Sequence, residues 1–200
     1  MSGVLLVLFG YLLGSIPTGL LIGMARGVDV RKVGSGNIGT ANVLRSAGKL
    51  AALLTLVGDM LKGLVPVLLA RALADSQGVA ALTALAAVVG HCWPVFLRFR
   101  GGKGVATGAG TGLALVPPVG IGVFILWWII AFAFRYTSLA AVVVAVAAPV
   151  GYLITGQPLP YLCYAFVGGA IVLWRHRVNV RALLSGSERR FGRKTQRGDG

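Results

Sequence analysis

Residues 104–134 read GVATGAGTGLALVPPVGIGVFILWWIIAFAF, a stretch without a single charged side chain. A membrane-spanning helix needs about 20 apolar residues, so the stretch is too long for one span and too apolar for a water-facing element. Pro117-Pro118 divides it, because proline has no N–H to give a helix and restricts the residue before it. The reading is two helices, 104–116 and 119–134, ended by Arg135-Tyr136. The first is short, which fits a tilted or re-entrant helix.

Outward from this pair the same pattern recurs. Apolar runs cover about 3–25, 50–74, 79–97, 137–155 and 160–174, separated by turn signals such as Asp75-Ser76-Gln77-Gly78 and Gly156-Gln157-Pro158. The chain is 56% hydrophobic and only 12% charged, against about 25% charged in soluble domains. Its mean hydropathy is +0.84. No run alternates apolar with polar residues as a membrane barrel requires. The predicted fold class is an all-α integral membrane protein of about seven transmembrane helices. Residues 1–186 are expected to form a single polytopic membrane domain, and 187–200 a basic, mobile tail. The first residues lack the positive region of a cleaved signal, so the first run is read as a retained helix. Cys92 and Cys163 lie in or beside apolar runs without CxxC spacing, which predicts buried thiols and neither a disulfide nor a metal site.

Charge sets the direction. With the N-terminus outside, the segments 26–49, 98–103, 135–136 and 175–200 fall inside, and they hold 17 of the 19 Lys and Arg residues. The positive-inside rule selects this orientation, with the motif loops and C-terminus cytoplasmic. The formal charge of +14 is interspersed between apolar runs. Anionic lipids or an anionic substrate are therefore the expected partners, not nucleic acid.

Three of the inside segments carry candidate chemistry. The first, Gly34-Ser35-Gly36-Asn37-Ile38-Gly39-Thr40-Ala41-Asn42-Val43-Leu44-Arg45, formally matches GxGxxG. No strand precedes it, and the acid 20 residues on, Asp59, lies in an apolar run, which excludes a dinucleotide fingerprint. What remains is a Gly-rich loop with hydrogen-bonding side chains (Ser35, Asn37, Asn42) and a permanent cation, Arg45, which can hold an anion or serve as a tight connector. The second, Arg98-Phe99-Arg100-Gly101-Gly102-Lys103-Gly104, is not a Walker loop, since Gly104 stands where Ser or Thr follows the lysine. Glycines around Lys103 just before a helix still suit a phosphate cradle of backbone N–H groups. In the third, His176 and Asn179 are three apart and share a helix face, with Glu188 beyond.

Inside the runs, Asp59 and Lys62 are spaced to pair on one helix and would face the bundle interior, as a structural ion pair or as a polar wall of a site. Ser138, with Thr137, opens the sixth run, where a capping role is the simpler account. His91 is read as structural.

These segments together resemble the bacterial acyl-phosphate:glycerol-3-phosphate acyltransferase family, often called PlsY, over nearly the whole chain. The first segment is similar to the family's SGNxGATN…R stretch, the second to GGKGVAT, the third to HxxN…GxE, and Asp59-Met60-Leu61-Lys62-Gly63 to DxxKG. Ser35, Arg45, Lys103, His176 and Asn179 match in type and place. The first motif reads Thr40-Ala41 where the family more often has Ala-Thr, and Arg181-Ala182 stands where a basic residue is expected at 182. The other large family of glycerophosphate acyltransferases needs an acid five residues after a histidine, and Phe96 and Arg181 occupy those places.

The resemblance implies transfer of a fatty acyl group from acyl phosphate to the 1-hydroxyl of sn-glycerol 3-phosphate, the first acylation of phospholipid synthesis, in the bacterial cytoplasmic membrane. It implies that Ser35, His176 and Asn179 orient the substrates. Arg45, Lys103, Gly101, Gly102, Gly104, Asn37, Asn42 and Ser138 would bind substrate or phosphate, with Asp59, Lys62 and Glu188 in support. No cofactor and no metal are expected. An enzyme that supplies acyl phosphate is a further candidate partner. The competing class is a transporter or channel for an anionic phosphorylated metabolite, but no inverted repeat is visible and the outer loops are nearly bare of charge.

Overall fold

In the computed structural model, which describes residues 2–190, all regular secondary structure among the described residues is helical. The order is α1 Gly3–Gly14, α2 Thr18–Ala25, α3 Thr40–Ala47, α4 Lys49–Leu73, α5 Gln77–Cys92, α6 Val105–Leu115, α7 Pro117–Phe134, α8 Thr137–Ile154, α9 Leu159–Arg175 and α10 Arg177–Leu184. Five segments are long and apolar enough to cross a membrane: Gly3–Ala25, Lys49–Leu73, Gln77–Leu97, Pro117–Phe134 and Thr137–Ile154. Val105–Leu115 and Leu159–Arg175 are apolar but shorter. The outward faces carry Leu61, Leu68, Ile121, Ile125, Phe132 and Val150, all exposed, as lipid contact requires.

Four features depart from the expected pattern. The first run is broken at Ile16-Pro17 into α1 and α2. Lys62 Nζ donates to the Ile16 carbonyl at 2.7 Å, replacing a helical bond that the break removes. The fifth run starts at Pro117 rather than 119, since proline is tolerated in the first helical turn. The polar segments 26–49 and 175–200 contain short helices, α3 and α10. Cys92 is buried, but Cys163 is exposed on α9, so the expectation of two buried thiols is corrected. Its place on an apolar helix did not say which face it takes.

Close approach of backbones holds the bundle together. A Cβ on Gly14 of α1 would overlap the Ala87 backbone of α5, and one on Gly90 of α5 would overlap the Tyr11 carbonyl of α1. Small residues at such crossings let helices pack where lipid offers no hydrophobic drive between them. The same device joins α4 to α6, where Gly63 faces the Thr107 carbonyl and Gly110 faces the Met60 carbonyl. This contact fixes where the start of α6, and the loop ending in Lys103, must lie.

Candidate active site

A cavity of about 670 Å³ opens at the end of the bundle where the basic loops meet. It is lined by Ser35, Asn37, Asn42, Arg45, Asp59, Lys103, Gly104, Ser138, His176, Asn179 and Glu188, drawn from widely separated parts of the chain. Three sequence candidates, Gly101, Gly102 and Lys62, do not line it.

The first loop is organised by Asn42. Its side-chain oxygen accepts the Ser35 N–H at 2.9 Å, and its amide N–H groups reach the Val30 and Val33 carbonyls at 2.8 and 3.1 Å. Asn42 is 2% exposed. With its amide fully engaged, it shapes the loop that presents Ser35. Asn37 likewise accepts from the Gly39 N–H at 2.8 Å. Arg45, on α3, stays exposed at the cavity mouth. Thr40 lines the cavity too, and its buried hydroxyl has no hydrogen-bond partner among the described residues.

The glycines of the second loop divide in purpose. Gly101 N–H donates to the Cys92 carbonyl at 3.2 Å and Gly102 N–H to the His91 carbonyl at 3.0 Å. Those two amides, expected to cradle phosphate, are already engaged. Any Cβ on Gly102 would overlap the His91 ring, so Gly102 serves close packing. Arg175 grips the same loop from α9, with Nε to the Gly102 carbonyl at 2.9 Å and Nη2 to the Gly101 carbonyl at 2.7 Å. Gly104 has φ +84°, which glycine adopts without strain, and turns the chain into α6. The first-turn amides of α6 have no intrahelical partners and lie beside Lys103 at the cavity wall.

A chain of hydrogen bonds then crosses the site. Lys103 Nζ donates to the Asn179 side-chain oxygen. Asn179 donates to Glu188 Oε1 at 2.9 Å, and Ser138 Oγ donates to the same oxygen at 2.7 Å. Ser138 therefore contacts a carboxylate, beyond any capping role. Burial pushes Lys103 below its usual range, with Glu188 opposing that shift. His176 is 4% exposed, and its Nδ1 lies 2.8 Å from the Val172 carbonyl. A carbonyl only accepts, so Nδ1 carries the proton and Nε2 is left as an acceptor. Burial first, and then the Lys103 charge, hold His176 down at about 4, so the ring is neutral near pH 7.

Deeper, Asp59 and Lys62 do pair, at 2.9 Å. Asp59 also accepts from Thr18 and lies 3.6 Å from His91 Nδ1. His91, read from sequence as structural, lines the cavity and backs the Gly102 turn. Sequence reasoning missed Arg175 and Arg189. Arg189, in the segment read as tail, lines the cavity mouth. Neither was separable from residues that merely satisfy the positive-inside rule.

Residues 4–186 match the profile of a family described as glycerol-3-phosphate acyltransferase. Curated relatives with that name include one from Rubrobacter xylanophilus, 72% identical over 96% of both chains. Another is from Aquifex aeolicus, 43% identical over 96% of this chain and all of its own. The fold is also similar to a crystal structure of PlsY (YgiH), an integral membrane glycerol 3-phosphate acyltransferase, in its glycerol 3-phosphate form. The TM-score is 0.92, at 44% identity over 96% of both chains. A lysophosphatidic acid form of that enzyme superposes with a TM-score of 0.90, at 42% identity and the same coverage. Matched over nearly its whole length in sequence and in fold, the chain belongs to the glycerol-3-phosphate acyltransferase family.

Proposed function

We propose that this protein transfers a fatty acyl group from acyl phosphate to the 1-hydroxyl of sn-glycerol 3-phosphate, giving 1-acylglycerol 3-phosphate and phosphate. The observation that carries the reading is one cavity with two characters. Cations, amides and hydroxyls crowd one end, and small or apolar side chains line the rest. Both substrates bring phosphate, and the donor brings a long apolar chain.

The hydroxyl oxygen attacks the acyl carbonyl carbon, the carbon–oxygen bond to phosphate breaks, and phosphate leaves with the electron pair. An acyl phosphate is already activated, so positioning and charge neutralisation supply most of the acceleration. Lys103 and Arg45 bind phosphate, with the free amides at the start of α6. Ser35, Asn179 and His176 orient the substrates, His176 through Nε2. The acceptor's proton passes to the leaving phosphate. A phosphate monoester takes up its second proton at a pKa of about 6 and free phosphate is no weaker a base, whereas His176 sits at about 4. Glu188 and Ser138 hold Asn179 in place.

The charge distribution supports seven spans, with α6 and α9 as the two short ones, the N-terminus outside and the site at the cytoplasmic face of the bacterial inner membrane. Residues 1–186 supply most of the catalytic domain, Glu188 and Arg189 complete its site, and the basic segment beyond them is drawn to anionic lipid headgroups. Residues 191–200 lie outside those the structure describes. The enzyme that makes acyl phosphate is the natural neighbour.

Purified protein given acyl phosphate and glycerol 3-phosphate should release lysophosphatidate and inorganic phosphate in equal amounts. Absence of acylated product, together with uptake of glycerol 3-phosphate into proteoliposomes, would establish a transporter instead.

A further inference from the structure

The cavity runs well past the polar cluster. Gly104, just before α6, and Gly108 and Gly112 within it recur every four residues and all line it, so a glycine stripe flanked by Val105 and Ala109 forms a shallow trough along that wall. Ala141, Ala145 and Ala148 of α8 border the same space. A Cβ on Gly108 would meet nothing within 4 Å. One on Gly112 would meet only the Gly120 Cα at 3.7 Å and the Tyr152 hydroxyl at 4.0 Å.

Tyr152 stands at the far end. It lies 14 residues along α8 from Ser138, which touches Glu188 in the polar cluster; that is about 21 Å of helix. Tyr152 is 2% exposed, lines the cavity, and its hydroxyl has no hydrogen-bond partner among the described residues. Its neighbour Tyr164, 6.2 Å away between ring centroids, has its hydroxyl bonded to Thr111. A buried hydroxyl without a partner is costly, and of these two tyrosines it is Tyr152, at the end of the trough, that carries the cost.

We infer that Gly112 and Tyr152 set the length of acyl chain this enzyme transfers, Tyr152 closing the trough and Gly112 leaving the last open volume before it. The inference rests on the acyl-transfer reading above. A chain that stops short of Tyr152 lies along α6 without obstruction. A longer one presses on the phenol ring and seals its hydroxyl against hydrocarbon.

The test is a competition in one tube between a short and a long saturated acyl phosphate, with glycerol 3-phosphate as acceptor. The ratio of the two kcat/KM values does not depend on how much protein is folded. Gly112→Leu lowers the long-to-short ratio by about tenfold or more, the scale of methylene discrimination in an apolar pocket. Gly108→Leu, one turn nearer the polar end, moves the cut-off to shorter chains still. Tyr152→Phe keeps the ring, removes the hydroxyl and raises the ratio. Where the leucine variants do not fold, Gly112→Ala and Tyr152→Phe carry the test. Transfer that persists with the ratio unmoved in the folded variants overturns the inference alone. Failure of the unaltered protein to use acyl phosphate of any length overturns the acyl-transfer reading, and this inference with it.

Discussion

Lys103 hydrogen-bonds to Asn179 across 76 positions of sequence, and the contact fixes which way the asparagine amide points. Lysine can only donate and a carboxylate can only accept, so the Asn179 oxygen faces Lys103 and its N–H faces Glu188. The amide passes the influence of Glu188 to Lys103 without placing a second negative charge against the lysine.

Asn179→Ala removes hydrogen bonds to two charged groups, each worth about 1.5–3 kcal/mol. Only the bond to Lys103 bears directly on the site, so the expected loss in kcat/KM for glycerol 3-phosphate is that of one such bond, about tenfold to a hundredfold. Asn179→Asp keeps an acceptor for Lys103 but sets a second carboxylate beside Glu188, so it should lose more than the alanine variant. Steady-state kinetics with both substrates decide this. An aspartate variant as active as the unaltered enzyme would remove the asparagine from the site.

His176 gives a prediction in pH. Its folded value is about 4, against about 6.5 for a free histidine. Below pH 6.5 the unfolded chain binds a proton that the folded chain refuses. Stability therefore falls as pH drops from 6.5 toward 4, by roughly 3 kcal/mol in all, and this group adds no further loss below 4. His176→Gln should flatten that part of the stability curve in detergent-solubilised protein. The pH–rate profile should show no limb near 6.5 that disappears in the variant. Such a limb would make His176 the general base.

Arg175 bridges two carbonyls of the Gly101-Gly102 turn with one rigid fork. Lysine presents a point charge that cannot reach both. Arg175→Lys should therefore raise KM for glycerol 3-phosphate by about tenfold, the effect of losing one charged hydrogen bond, through the position of Lys103. Arg177 lies over the Trp174 ring at 4.3 Å, away from the turn, and Arg177→Lys should leave the kinetics unchanged. Equal effects in the two variants would mean that general basicity, and not the turn, is what matters.

Asp59 and Lys62 are a stability prediction. Both are nearly sealed from solvent, at 2% and 4% exposure, and together they hold the α1–α2 break through Thr18 and Ile16. Removing one partner leaves a buried charge alone, at a cost of about 3–5 kcal/mol. Asp59→Asn should lower the thermal midpoint strongly, and Asp59→Asn with Lys62→Met should recover part of the loss. If the double variant is less stable than either single one, the pair is not what Asp59 contributes.

The helices were legible because their signal is local. A run such as 119–134 has to be helical in lipid, where each backbone group needs a partner within its own segment. The break at Ile16-Pro17 was not legible, because the Lys62 side chain that accommodates it comes from 46 positions away. In the second loop, glycines that look alike in sequence do different things. Gly102 clears the His91 ring and Gly104 turns the chain, while the amides of Gly101 and Gly102 are already bonded. Arg175 and Arg189 were hidden for the opposite reason: in a chain with 19 basic residues, one more arginine beside a span carries no local information.

Residue order alone was enough for the class of the protein, its apolar helices and the four motifs that place it in its family. Those follow from hydropathy, proline and residue type, which act over a few neighbouring positions. It took the packed bundle to show that Ser35, Lys103, Ser138, His176, Asn179 and Glu188 share one cavity, that Asn42 is engaged in its own loop, and that Tyr152 lines the same cavity. Those outcomes depend on how closely α4 meets α6 and α1 meets α5. That spacing is set by glycines facing backbone on another helix, a relation between distant positions that no local pattern contains.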